Sequence, residues 1–168
     1  MRNTNYKELL NDIKGFVFDV DGVLTDGGLH ISESGVLLRT MHVKDGFALK
    51  YALKKGYKIC IISGGTNPAV KSRLNGLGIT NVYLGADDKM GFLETFTAEN
   101  NISLDELVYM GDDIPDIPVM QKVKLACCPQ DAVPEVKAIS AYVSHKGGGQ
   151  CCVRDIIEQV LKTQNNWI

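Results

Sequence analysis

Gly15-Phe16-Val17-Phe18-Asp19-Val20-Asp21-Gly22-Val23 is the stretch on which the reading of this chain turns. It opens as a near-continuous apolar run, the pattern of a parallel strand buried on both faces. It closes with two carboxylates two residues apart, which can point to one side just past a strand's end. The glycine that follows lets the chain turn sharply there. A calcium loop of the EF-hand type is excluded, because the further ligands at fixed offsets and the Glu at the twelfth place are missing.

Short apolar runs recur at 57–62, 81–84, 107–110, 124–128 and 141–143. Helix signals lie between them. Asp45 is placed to cap a helix that runs to Lys55 and stops at Gly56. Asn67-Pro68 starts a second, ended by Gly76 and Gly78. Asp87-Asp88 opens a third, carrying Phe92, Leu93 and Phe96, and a last helix covers 153–161. Strands alternating with single helices predict an α/β fold: a Rossmann-like parallel sheet with helices on both faces. The ligand site is then expected beyond the carboxyl ends of the strands. One segment departs from this pattern. Leu29 and Ile31, then Ser32-Glu33-Ser34-Gly35, then Val36, Leu38 and Thr40 have period two, which predicts a β-hairpin over 27–43 that projects from the sheet.

The 168 residues suffice for one domain, 1–168, with a real core. Hydrophobic content of 45% beside 23% charged residues excludes a disordered or fibrous chain. A net charge of −2 leaves no electrostatic footprint for nucleic acid or for an anionic membrane surface. No apolar run approaches the roughly 18 residues needed to span a bilayer. The polar start, Met1-Arg2-Asn3-Thr4-Asn5, is unlike a secretory leader. Cys60, Cys127, Cys128, Cys151 and Cys152 are odd in number and lack the C-x-x-C spacing of zinc sites. They read as small buried thiols in a reducing cytoplasm.

Further polar groups stand at the ends of the later strands. Ser63-Gly64-Gly65 follows the second, offering a hydroxyl and unobstructed backbone N–H groups to an anion. Lys89 falls in the first turn of a helix, where a cation opposes the helix dipole and needs an anion to meet it. Gly111-Asp112-Asp113-Ile114-Pro115-Asp116 ends the fourth strand with three acids. Acids, hydroxyl, lysine and acids in order at successive strand ends form a set suited to holding a phosphate and a hard cation beside a carboxylate nucleophile.

These motifs, Asp19-x-Asp21-Gly22-Val23, Ser63, Lys89 and Gly111-Asp112-Asp113-x-x-Asp116, resemble those of the haloacid dehalogenase superfamily, over nearly the whole chain. Thr25-Asp26-Gly27, Leu77-Gly78-Ile79, Pro118-Val119-Met120 and Gly147-Gly148-Gly149 followed by Val153-Arg154-Asp155 are similar to its capless phosphatases of eight- and nine-carbon ulosonate phosphates. The resemblance implies that Asp19 attacks phosphorus to form an aspartyl-phosphate and that Asp21 protonates the departing sugar oxygen and then activates water. It implies Mg²⁺ held by Asp19, the backbone carbonyl of Asp21 and Asp112. Ser63, Gly64 and Lys89 would bind phosphate, with Asp113 and Asp116 supporting them. Thr25, Gly27, Arg73 and Lys146 are the candidates for substrate binding, Arg73 for a substrate carboxylate. The implied role is cytoplasmic hydrolysis of a sugar-acid phosphate in lipopolysaccharide precursor synthesis.

Asp21 and Ser63 are 42 residues apart and Lys89 and Asp112 are 23 apart, which leaves no room for the cap domain of many relatives. The resemblance implies instead a homotetramer in which the hairpins associate. The C-terminal region 144–168, above all 146–150, is then expected to reach a neighbouring site. Gly65 departs from both substrate types, where Arg is expected in many eight-carbon enzymes and an acid in nine-carbon ones. Gly76 stands where the nine-carbon type is expected to carry Lys, which favours the eight-carbon sugar and leaves the nine-carbon one as the alternative. A phosphoreceiver signalling domain also joins an Asp, a Ser/Thr, a Lys and a metal on a parallel sheet. Its acceptor ends a middle strand, however, and turnover of a phosphate ester with Mg²⁺ separates the two.

Overall fold

A computed structural model describes residues 5–168; the polar start read at 1–4 lies outside the described residues. A short helix α1 (Tyr6–Leu9) leads into β1 (Gly15–Phe18), and a small two-stranded arm follows, β2 (His30–Ile31) and β3 (Leu37–Leu38). Helices and strands then alternate: α2 (Val43–Lys54), β4 (Lys58–Ser63), α3 (Pro68–Asn75), β5 (Asn81–Leu84), α4 (Lys89–Asn100), β6 (Leu107–Met110), α5 (Ile117–Met120), β7 (Leu125–Cys128), α6 (Pro134–Ile139), β8 (Tyr142–Val143) and α7 (Cys152–Thr163). The main sheet has the order β5-β4-β1-β6-β7-β8, parallel throughout. β1 lies between β4 and β6, so the chain switches sides at β1. Such sheets bind ligands in the crevice at that switch.

The strand period of two sorts the core into two halves. Phe16, Phe18, Ile59, Ile61, Val108 and Met110 pack with Leu49 of α2, Leu74 of α3 and Ile156 and Val160 of α7. Val17, Cys60, Ile62, Leu107 and Tyr109 pack with Leu93 and Phe96 of α4, Val119 of α5 and Val136 of α6. With both faces covered, the strands are apolar at nearly every position rather than alternating.

Three expectations change in detail. The hairpin is present but short: only His30 with Leu38 and Ile31 with Leu37 pair, and Leu29, Ile31, Val36, Leu37 and Leu38 are exposed. Asp45 does not cap its own helix. His42 does, its Nδ1 accepting from the Lys44 N–H at 3.1 Å. Asp45 instead turns inward and accepts the N–H of Arg154 at 2.7 Å, capping α7, whose preceding residue Cys151 (φ 74°) provides no side-chain cap. Region 146–150 is not a free tail either. Its backbone is seated on its own chain: Gln130 donates to the Lys146 carbonyl at 2.9 Å, Gly148 to Asp131 Oδ1 at 2.9 Å, and Gly149 to the Val23 carbonyl at 3.0 Å. The glycines do permit a close approach, as expected, but what they approach is the loop after β1, where a Cβ on Gly148 would overlap the Gly22 carbonyl.

Candidate active site

Beyond β1 the chain leaves the sheet in one wide turn, closed by the Thr25 N–H donating to the Val20 carbonyl at 3.1 Å. Gly22 has φ 82°, and a Cβ there would also overlap the Asp112 carboxylate, so the turn and the acid of β6 fit only around a glycine. Above β4, β1 and β6 opens a cavity of about 530 Å³. Asp19, Asp21, Gly27, Ser63, Gly64, Lys89, Asp112, Asp113 and Asp116 line it, as the sequence leads one to expect, together with Asp87 and Pro115.

Asp19 Oδ1 accepts from the Val20 N–H at 2.6 Å, and Oδ2 accepts from Lys89 Nζ at 2.8 Å. Lys89, only 7% exposed, also donates to Asp116 Oδ1 at 2.7 Å. Asp116 takes three further donors: the Tyr109 hydroxyl at 2.7 Å and the N–H groups of Asp112 and Asp113 at 3.1 and 3.4 Å. Asp113 accepts from the Ile114 N–H at 2.8 Å and caps the short turn that follows. Buried Ser63 accepts from the Gly65 N–H at 3.2 Å, and Gly64 stands in open space at the rim.

Three proposed substrate residues lie elsewhere. Thr25 is buried; its hydroxyl donates to the Val20 carbonyl (3.4 Å) and accepts from the Gly27 N–H (3.2 Å), so it ties the turn together. Lys146 is exposed and outside the cavity lining. Arg73 lines a neighbouring cleft of about 320 Å³ with Leu37, Leu38, Arg39 and Asn67. One residue at the site escapes sequence reasoning altogether. Arg39 donates from Nε to Asp21 Oδ1 at 2.6 Å and from Nη2 to Oδ2 at 3.0 Å. A lone arginine in an alternating arm, 18 positions from its partner, leaves no signal in the chain.

Six carboxylates and one ammonium line the cavity. Burial, with the charge of Asp116, raises Asp19 to about 6 against the pull of Lys89 and the Val20 N–H. Burial and the charges of Asp19, Asp116 and Asp113 raise Asp112 to about 7. Burial alone would lower Lys89, but Asp19 and Asp116 outweigh it and raise its value. The acids are thus short of positive charge. Carboxylate oxygens of Asp19, Asp112 and Asp116 lie within 4.8 Å of one another. Those of Asp116 are filled by four donors, whereas no hydrogen bond among the described residues reaches the Asp112 carboxylate. Asp19 and Asp112 therefore have the lone pairs to offer a hard cation.

Residues 82–147 match the haloacid dehalogenase-like hydrolase family. The chain is 32% identical over 162 residues to the 3-deoxy-D-manno-octulosonate 8-phosphate phosphatase KdsC of Salmonella typhi, covering 96% of this chain and 86% of that protein. The crystal structure of the phosphatase of the same name from Yersinia pestis matches with a TM-score of 0.94 at 29% identity, over 97% of this chain and 88% of that one. The enzyme from Moraxella catarrhalis, in complex with a magnesium ion, a phosphate ion and KDO, matches with a TM-score of 0.92 at 32% identity, over 97% and 94% of the two chains. The chain belongs to the haloacid dehalogenase-like hydrolases. Within that family, relatives that it resembles over nearly its full length include proteins named as 3-deoxy-D-manno-octulosonate 8-phosphate phosphatases.

Proposed function

We propose that the chain is a Mg²⁺-dependent phosphatase that releases phosphate from a sugar-acid phosphate, 3-deoxy-D-manno-octulosonate 8-phosphate. One observation carries this reading: Asp19, held at the end of β1 by Lys89 and a backbone N–H, stands two residues before a second carboxylate at the cavity wall. The end-to-end likeness to phosphatases of that name supplies the substrate.

Asp19 is the nucleophile. Its bonds to Val20 and Lys89 fix the carboxylate so that an oxygen can approach phosphorus in line. Lys89 and the Ser63 hydroxyl meet the phosphoryl oxygens, and Asp116 keeps the ammonium of Lys89 in place. Asp21 gives its proton to the sugar oxygen as the P–O bond breaks, leaving an aspartyl-phosphate on Asp19. It then takes a proton from the water that attacks phosphorus, and Asp19 is regenerated. The donor set fits Mg²⁺ held by Asp19, Asp112 and the Asp21 carbonyl, which would offset the repulsion between carboxylate and phosphate dianion.

The open site and the exposed apolar residues of the arm support assembly as a homotetramer through the arms. No helix of the described residues is long and apolar enough to cross a membrane, and five unpaired cysteines fit a reducing cytoplasm. The function is tested by measuring phosphate release from a panel of sugar phosphates with Mg²⁺. The eight-carbon ulosonate phosphate should give the highest kcat/KM. Preference for the nine-carbon homologue would reassign the substrate, and no release from any ester would overturn the reading as an enzyme.

A further inference from the structure

We propose that Arg39 is a positioning residue for Asp21, through which the arm sets the aim of proton transfer. The inference rests on the reading of Asp21 as the acid and base of the reaction.

The two acids after β1 are held by different parts of the molecule. Asp19 is fixed from within the sheet, by the Val20 N–H and by Lys89. Asp21 has both carboxylate oxygens bound by Arg39, and no other hydrogen bond among the described residues reaches them. A guanidinium fork fixes the plane of a carboxylate as well as its place, which a single ammonium contact does not.

This is not built as a surface ion pair, in which two mobile side chains meet in water. The Arg39 side chain is 8% exposed, and its Nη1 is buried with no partner. An unsatisfied buried N–H is costly and offsets part of what the two bonds to Asp21 contribute to stability. Its backbone is anchored as well. Arg39 directly follows β3, and Asn67 Nδ2 donates to the Leu37 carbonyl at 2.9 Å, tying the arm to the start of α3. Gly65 supplies the room: a Cβ there would lie 3.3 Å from both Arg39 Nη2 and Asp21 Oδ2. The guanidinium is thereby wedged between the arm and the loop that carries Ser63. The fork takes one lone pair on each oxygen of Asp21, so the proton Asp21 gives and takes back sits on a remaining lone pair, and the direction in which that lone pair faces a leaving group follows the position of the arm.

The readout is dependence on the leaving group. A sugar alkoxide needs a proton as it departs, whereas p-nitrophenolate does not, and kcat/KM reports only the steps through ester cleavage. Both esters are compared in wild type, Arg39→Ala, Arg39→Lys, Asp21→Asn and the Arg39→Ala/Asp21→Asn double variant, with thermal midpoints as a folding control. Arg39→Ala should lower kcat/KM for the sugar-acid phosphate about 30- to 100-fold and for p-nitrophenyl phosphate less than about 5-fold. Arg39→Lys should fall between wild type and Arg39→Ala, and carries the same comparison should the alanine variant fail to fold. In the double variant, Arg39→Ala should add nothing to the loss from Asp21→Asn, because the arginine acts through that carboxylate. Equal losses on both esters, or losses that multiply in the double variant, would overturn the role of Arg39. If Asp21→Asn itself shows no preference for the aryl ester, the reading of Asp21 fails instead, and the inference fails with it.

Discussion

At the scale of single residues, the site is organised around Asp116 rather than around the nucleophile. Its four donors leave it no capacity for substrate or metal, but they make it a fixed anion that holds Lys89 against Asp19. Asp19 is the group whose loss cannot be compensated, since an amide does not form an acyl-phosphate. Asp19→Asn should therefore abolish phosphate release while leaving the circular dichroism spectrum unchanged. Activity within tenfold of wild type would remove Asp19 from the role of nucleophile. Asp19, Asp21, Ser63, Lys89, Asp112 and Asp116 are legible in the chain because each stands where an apolar strand ends or a helix begins. Arg39 is not. Its part depends on a contact between the arm and the loop after β1 that follows no period. Thr25, Arg73 and Lys146 enter by resemblance alone, and the fold places them around the site rather than in it.

At the scale of elements, the strands are readable because burial on both faces writes an uninterrupted apolar run into the chain. Helices α5 and α6 are four and six residues long, too short to display a helical period, and pass unnoticed in the sequence. Asp45 reads as a cap, but for the wrong helix, since the spacing of a capping residue does not say which N–H it will meet. Its actual place has a consequence for stability. Burial raises its value to about 6 from an ordinary 3.8, against the opposing Arg154 N–H, and its Oδ2 has no partner. The folded chain thus holds this proton more tightly than the unfolded chain does. The contribution is complete below about pH 4 and is lost as pH rises through about 6, a total of about 3 kcal/mol. Asp45→Asn keeps an oxygen for the Arg154 N–H and carries no charge. Urea unfolding at several values between about pH 4.5 and 7.5 should show the variant gaining on wild type as pH rises, by about 2 kcal/mol over that range. A stability difference that does not change with pH would mean that Asp45 titrates alike in both states.

At the scale of the whole molecule, two requirements of the cavity are left to groups outside the chain. The first is positive charge: with six carboxylates around one lysine, activity should vanish on exhaustive chelation and return with Mg²⁺ far better than with the larger Ca²⁺, whose looser coordination suits an in-line transfer poorly. Full phosphate release after chelation would falsify the need for a metal. The second is cover. Among the described residues no domain is inserted over the site, and the arm beside it exposes Ile31 at 74% and Leu38 at 53%, more apolar surface than a solitary projection has reason to carry. If copies of the chain bury these residues against one another, Ile31→Asp combined with Leu38→Asp should split a tetramer into monomers, read by analytical ultracentrifugation. The arm ends at Arg39, so releasing it should also disturb Asp21. Hydrolysis of the sugar-acid phosphate should then fall together with the tetramer, while p-nitrophenyl phosphate, which needs no proton, is largely spared. Monomers that keep full activity on the sugar-acid phosphate would show that each chain aims its own acid unaided. A wild-type chain that is already monomeric at assay concentration would leave the apolar arm with some partner other than itself.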